Sequence, residues 1–312
     1  MTTSFGAINK IELEGYERKL FHVLNVTINS ESLGDLHTIE GNAFMYNTFN
    51  WQYGHVMQDV IGQYEIIRKK IPDLKFAVII SIDEFGKPEF ANSVIESVVN
   101  HYPDSILIHP SQKTTFKNLY YIYNRFMNIL DDIESNTETS VVDSDFHSQL
   151  EAVKIVKSKF KPKKHKHPIR KLYISRKIAD KVYETPGMEY YKEMRTLKNE
   201  HILQEYMISI GYEVVHNEGM SLEEQAELYE SASHIVTING TGAYNSIFCN
   251  LDAKIVLLNI HTRFSWFFDT LIREVGIKDV ITIPEFTNKT GLNYPILAEQ
   301  LIECLKSIED RL

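Results

Sequence analysis

The stretch Ser233-His234-Ile235-Val236-Thr237-Ile238-Asn239-Gly240-Thr241-Gly242-Ala243-Tyr244-Asn245-Ser246-Ile247-Phe248 restricts the fold of this chain more than any other. Ile235, Val236 and Ile238 form a short apolar, β-rich run of the kind a parallel sheet buries on both faces. Gly240 and Gly242 follow, where backbone angles that side chains disfavour become accessible and a ligand can approach the main chain. Ala243 to Phe248 then predicts a helix whose free N–H groups and positive dipole end point into the turn. An anion such as a nucleotide diphosphate suits that turn, although strand, glycine and helix also meet this way as plain turn chemistry.

The same alternation runs along the chain. Lys19 to Ile28 and Asn42 to Thr48 predict strands, and Val56, Val60, Ile61, Tyr64 and Ile67 recur at helical spacing up to Pro72. Phe76 to Ile80 reads as a buried strand, Glu89 to Asn100 as a helix opened by Pro88, and Ile106 to Ile108 as a further strand. This order predicts a first layer with a parallel sheet. Asn118 to Leu130 is aromatic-rich and fits either strand or helix, and Phe146 to Phe160 has helical spacing.

A second cycle begins at Leu172 to Ser175. A helix over Leu197 to Ile210 ends on Gly211, Tyr212 to Val215 forms a strand, and Ser221 with Glu224 makes a capping box for a helix to Ser231. Beyond the glycine turn come strand Lys254 to Leu258, helix Phe264 to Val275, strand Val280 to Ile283 and a helix from Pro295 to Ile308.

At 312 residues, two domains are expected. The basic run Lys161, Lys163, Lys164, Lys166, Arg170 and Lys171, broken by Pro162 and Pro168, reads as a solvated linker. The expected division is therefore an N-terminal α/β domain over 1–160, a linker over 161–170 and a C-terminal α/β domain over 171–312, whose last helix can pack back on the first domain. With 33 basic against 42 acidic residues the formal charge is −9, which disfavours a dedicated nucleic-acid binder. Cys249 and Cys304 lie far apart without histidines at metal spacing, which argues against a disulfide scaffold or zinc site. No run approaches the ~18 apolar residues of a membrane span, and the first residues lack the pattern of a signal peptide. A cytoplasmic location is expected.

Ligands of doubly wound sheets collect at the carboxyl edges of the strands, and two such halves would face each other across a cleft. Three features converge there. Arg176 follows Ser175 at the end of a strand, where a guanidinium can fork onto phosphate oxygens. Arg195 stands ahead of a helix start in which Thr196 would cap and Asn199 and Glu200 would occupy the first turn. In the first half, Trp51-Gln52-Tyr53-Gly54-His55-Val56-Met57-Gln58-Asp59 puts His55 and Asp59 on one helical face. An aspartate that fixes the imidazole tautomer leaves the other ring nitrogen basic. Each feature also has a plain reading, as an exposed loop arginine, a helix start, or a capping histidine beside a solvated aspartate.

Taken in order, Trp-x-Tyr-Gly-His-x-x-x-Asp, Lys-Leu-Tyr-Ile-Ser-Arg, Arg-x-Leu-x-Asn-Glu, Gly-Tyr-Glu-Val-Val with Ser-Leu-x-Glu-Gln, and Gly-x-Gly-x-x-x-Asn resemble glycosyltransferase family 61. The resemblance is densest from Lys171 to about Leu258 and reaches back to Trp51–Asp59. It implies a GT-B fold: two Rossmann-like, doubly wound α/β domains facing a central cleft, with the donor in the C-terminal one and the acceptor mainly in the N-terminal one. It implies an inverting, metal-independent transfer from a nucleotide sugar, with UDP as the family's usual nucleotide, to a hydroxyl of a saccharide acceptor, and no cofactor. Ser175, Arg176, Arg195 and Asn199 fall where the family lines its donor site. Asn239, Gly240, Thr241, Gly242 and Asn245 fall on its glycine turn, His55 and Asp59 on its His-x-x-x-Asp, and Trp51 and Tyr53 on the acceptor side.

Two positions depart from the pattern. Family members usually have His-Gly-Ala-Gly where Asn239-Gly240-Thr241-Gly242 stands, and an acidic residue commonly ends the next strand, where Asn259 stands. A sugar-nucleotide or glycan-binding protein without catalysis, or a nucleotide-sugar epimerase of the same fold, therefore stays open beside the transferase.

Overall fold

The computed structural model describes residues 2–4, 8–13, 16–29, 37–47, 57, 61–79, 100–108, 114–122, 146–160, 162, 168–175, 197–259, 265–283 and 297–312. Contacts group the chain into two compact units, divided along the sequence between Val156 and Lys157. Each is taken by itself.

The N-terminal unit carries β1 (Thr2–Ser4), β2 (Ile8–Leu13), β3 (Tyr16–Asn29), β4 (His37–Asn47), α1 (Gln63–Arg68), β5 (Lys75–Ile79), β6 (Ile106–Ile108), β7 (Thr114–Ile122) and α2 (Phe146–Lys159). Its sheet has the order β1-β3-β7-β4-β5-β6, with β2 paired to β3. Strands β7, β4, β5 and β6 are mutually parallel, as the alternation predicts. The other half is not: β3 runs antiparallel to β7, β1 and β2. The expectation of a purely parallel first sheet is thus corrected to a mixed one. For β2 and β3 the cause is local, since only two residues separate Leu13 from Tyr16, which pair with each other. A link that short can only return the chain as a hairpin, because a parallel neighbour needs a crossover of about a dozen residues.

The aromatic-rich stretch from Asn118 is strand as far as Ile122, and the helix predicted over Glu89 to Asn100 lies outside the described residues as far as Val99. The core beside α1 is aromatic. Tyr64 meets Phe76 and Tyr102 edge-on with centroids 4.8 and 5.0 Å apart, and its hydroxyl donates to Leu74 O at 2.9 Å. Gly62, just ahead of α1, packs directly on Ala152 of α2. Backbone and methyl group meet there with no room for a larger side chain.

The C-terminal unit carries β8 (Arg170–Ser175), α3 (Glu200–Ser209), β9 (Glu213–His216), α4 (Leu222–Glu230), β10 (Ala232–Ile238), a 3-10 helix (Thr241–Phe248), β11 (Lys254–Leu258), α5 (Ser265–Glu274), β12 (Asp279–Ile283), α6 (Ala298–Lys306) and a short 3-10 turn (Glu309–Arg311). All five strands are parallel, in the order β12-β11-β10-β8-β9. Counted within the unit this is 2-1-3-4-5, the doubly wound order whose switch point lies between its first and third strands, here β8 and β10. Central positions of β10 and β11 (Ile235, Val236, Ile255, Leu257) are buried, as their uninterrupted apolar runs require.

Local signals act as the sequence predicts. Ser221 Oγ accepts from Glu224 N at 3.1 Å while Ser221 N donates to Glu224 Oε2 at 2.7 Å, closing the capping box of α4. Gly211 has φ of 88° and ends α3, with Tyr212 N bonded back to Met207 O. Arg170, the last residue assigned to the linker, begins β8 and holds Glu213 of β9 with two guanidinium bonds of 3.0 and 2.7 Å. Helix α6 buries Ala298, Leu301, Ile302 and Leu305 in this unit's own core against Leu203 and Met207 of α3. Among the described residues no helix is long and apolar enough to cross a membrane.

Candidate functional site

The parallel register aligns the carboxyl ends of all five strands. Ser175 pairs with His216, Ile174 with Thr237, and Ile238 with Leu258, which pairs with Ile283. The next residues after β10 and β11 are Asn239 and Asn259, and the glycine turn follows Asn239. The turn therefore stands at the switch point, over the ends of β8 and β10. In open α/β sheets that crevice is where ligands bind.

Gly240 has φ of 156° and ψ of −161°, a region in practice reserved for glycine. Gly242 does not share this need, since a Cβ there would meet only Thr237 Oγ1 at 3.9 Å. The expectation that both glycines serve backbone angles is corrected for Gly242. Corrected too is the helix that follows: Thr241–Phe248 winds as a 3-10 helix, and the Ala243 amide is already bonded to Gly240 O at 2.9 Å. The turn offers fewer free N–H groups than an α-helical start.

Ser175 is buried at the end of β8. Its hydroxyl donates to Glu200 Oε1 at 2.7 Å and accepts from Gln204 Nε2 at 2.9 Å, while Tyr173 OH donates to the same Glu200 oxygen at 2.9 Å. Residues two apart on a strand share a face, as do residues four apart on a helix. Tyr173 and Ser175 thus meet Glu200 and Gln204, and the serine hydroxyl is engaged inside the unit. Asn199 is not in the first turn of α3 but ahead of it, left-handed at φ 60°, and its amide donates to Glu299 Oε1 at 3.3 Å.

Asn239 and Asn259 are each 1% exposed, and Asn239 Nδ2 donates to Asn259 Oδ1 at 2.5 Å. Behind the turn lies a second buried amide network. Gln225 Nε2 donates to Met220 O at 3.1 Å and its Oε1 accepts from Asn245 Nδ2 at 2.7 Å. Asn217 Nδ2 donates to Tyr229 OH at 2.9 Å, and Tyr229 OH donates to Gly242 O at 3.2 Å. Burial raises the pKa of the Tyr229 hydroxyl, against lowering by the Asn217 and Asn245 amides beside it. It stays a proton donor to the turn.

Of the residues singled out in the sequence, the structure brings Asn239, Gly240, the Thr241 backbone, Gly242 and Asn245 together, with Ser175 at the neighbouring strand end. Asn199 sits at the start of α3. Trp51, Tyr53, His55, Asp59, Arg176 and Arg195 lie outside the described residues. Sequence reasoning missed Gln225 and Tyr229, though a signal was present. Leu222, Gln225, Ala226 and Tyr229 form the buried stripe of α4, and a glutamine in such a stripe needs a polar partner inside.

A model of the family described as Glycosyltransferase 61 matches residues 53–256, more than half of the chain, from the His55/Asp59 segment into β11. No curated protein matches the chain.

Proposed function

The chain belongs to glycosyltransferase family 61, and from that premise we propose that it transfers a sugar, with inversion and without a metal ion, from a nucleotide sugar, taken as UDP-linked, to a saccharide hydroxyl. The observation that carries the donor site is the position of the Gly240–Gly242 turn at the switch point of the parallel C-terminal sheet. In this reading a GT-B arrangement places the donor on the C-terminal unit. Arg176 and Arg195 would hold the diphosphate, whose charge grows as the anomeric C–O bond breaks. His55 supported by Asp59, or Asp59 itself, would take the proton of the acceptor hydroxyl as its oxygen attacks the anomeric carbon from the opposite side. Trp51 and Tyr53 would line the acceptor side. The nucleoside diphosphate then leaves.

Thermal stabilisation by a panel of nucleotide sugars identifies the donor, because a ligand that binds only the folded state raises apparent stability. Transfer with that donor, in the presence of a chelator and with the anomeric product read by NMR, then tests the chemistry. Full activity in both His55→Ala and Asp59→Ala would remove them as the base. The neutral Asn239–Asn259 pair favours a second reading, a donor-binding protein without catalysis. Donor binding by calorimetry with neither transfer nor hydrolysis would establish that instead.

A further inference from the structure

Glu200, half-buried at the start of α3, has one oxygen fixed from inside the unit. Its Oε1 accepts from Tyr173 OH and Ser175 Oγ at 2.9 and 2.7 Å, and Gln204 Nε2 holds Ser175 Oγ in turn. Tyr173 and Ser175 are themselves buried in the strand end. Unlike His216 Nδ1 or Ser246 Oγ, the second oxygen of Glu200 is not enclosed: Oε2 takes no hydrogen bond among the described residues and reaches the surface of the unit. Ordering a glutamate side chain costs rotamer entropy. Here two hydroxyls from a rigid strand meet that cost before any ligand arrives, and Oε2 is presented in a fixed direction.

Where that oxygen stands follows from the sheet. Ile174 pairs with Thr237, so Ser175 is level with Ile238, and Gly240 lies one strand across and two residues further, on the order of 8 Å away. Helix α3, which follows β8, packs on the face of Val236 and Ile238. The 3-10 helix, which follows β10, starts on the opposite face, where a Cβ at Gly242 would meet Thr237 Oγ1. Glu200 and the glycine turn therefore flank the switch-point crevice from its two sides.

A carboxylate oxygen only accepts, and it repels phosphate. Hydroxyl groups donate, and a nucleotide sugar carries them on both sides of its diphosphate, on the ribose and on the transferred sugar. We infer that Glu200 Oε2 binds hydroxyl groups of the nucleotide sugar whose diphosphate lies at the glycine turn. This rests on the donor-site reading above and names the group that reads the ligand's hydroxyls.

Calorimetry with UDP, 2′,3′-dideoxy-UDP and UDP-glucose, or the matching set for whichever base the stabilisation panel selects, tests it on the wild type and Glu200→Ala. Two affinity ratios are read, UDP over its dideoxy form and UDP-glucose over UDP. One of them should fall about tenfold or more in the variant, the scale of a hydrogen bond to a charged group. A fall in the first assigns the ribose, and a fall in the second assigns the transferred sugar. Glu200→Gln keeps an oxygen for Tyr173 and Ser175 and puts an NH₂ in place of Oε2, so it should lower the same ratio several-fold. It gives the readout if the alanine variant does not fold. Two unchanged ratios, whether or not overall affinity moves, would overturn the inference while leaving the donor site standing. Binding of no nucleotide or nucleotide sugar by the wild type would remove the donor site, and the inference with it.

Discussion

Asn239 and Asn259 end adjacent parallel strands and meet through their side chains, the Asn239 amide donating to the Asn259 carbonyl oxygen. Their backbones extend the same ladder, with Asn239 N bonded to Leu258 O and Asn259 N to Ile283 O. The two positions at which this chain departs from the family pattern are therefore one contact. A histidine beside an acidic residue would form a charge-assisted pair, and here two neutral amides replace it. The two amides are coupled through this one contact.

That coupling predicts non-additive substitution. Asn239→Ala or Asn259→Ala removes a hydrogen bond between two buried amides and should each cost about 1–3 kcal/mol. The double variant should cost less than the sum, with a coupling of about 0.5–3 kcal/mol in a double-mutant cycle read by urea denaturation. By the same logic, Asn239→His with Asn259→Asp should be better tolerated than either change alone. Strict additivity would show that the contact contributes nothing.

The two well-placed glycines should respond in opposite ways to alanine. A Cβ at Gly62 would stand 2.7 Å from Ala152 Cα and 2.9 Å from Ala152 O, and would also collide with the Ala152 methyl. Backbone cannot yield as a flexible side chain can, so α2 must shift and Gly62→Ala should cost about 1–3 kcal/mol. Gly242 has room, and Gly242→Ala should change stability by no more than about 0.5–1 kcal/mol. If Gly242→Ala nevertheless abolishes nucleotide stabilisation, the glycine serves ligand approach.

Much of the C-terminal unit was legible because its signals are local. The capping box at Ser221 and Glu224, the stop at Gly211 and the apolar runs of β10 and β11 each depend on neighbours a few residues away. The switch point follows only once strand order is known, and no local pattern states that β8 lies between β9 and β10. The N-terminal hairpin is legible in the two-residue link between Leu13 and Tyr16, whereas the later alternation of strands and helices by itself points to a parallel sheet. Side-chain partners were the least legible. Ser175 resembles a ligand-facing residue in sequence, yet its hydroxyl goes to Glu200 and Gln204, a choice made by how α3 packs on β8. The 3-10 winding after Gly240 belongs to the same class, since an apolar run starting at Ala243 fits either helix.

His234 gives a prediction in pH. Its register partners on the two neighbouring strands are Lys171 and Lys254. Burial lowers its pKa first and the two lysines lower it further, while Asp279, which pairs with Lys254, opposes them. The sign follows from proton binding. Below the ordinary value of about 6.5 the unfolded chain takes up a proton that the folded protein resists. The stability present above that pH should therefore decline as pH falls through 6.5 toward the lower folded value. His234→Gln should flatten this slope between pH 7.5 and 5 in urea denaturation. An identical slope in wild type and variant would show that other groups set it.

Tyr229 links the strand end at β9 to the glycine turn, and its hydroxyl has no substitute. Tyr229→Phe keeps the buried ring but removes the donor to Gly242 O and the acceptor for the Asn217 amide. Two groups lose a partner at once, and the expected cost is about 1–3 kcal/mol. The effect on binding separates two roles. If the network only holds the fold, nucleotide affinity should survive in the folded variant, since the turn's covalent geometry is unchanged. If Tyr229 sets where the Gly240–Gly242 turn stands, affinity should fall about tenfold at a temperature where the variant is fully folded, because a displaced turn forms weaker hydrogen bonds with its ligand. Calorimetry well below the variant's unfolding midpoint makes the comparison, and we expect the second outcome, since the Tyr229 hydroxyl is what ties Asn217 to the turn.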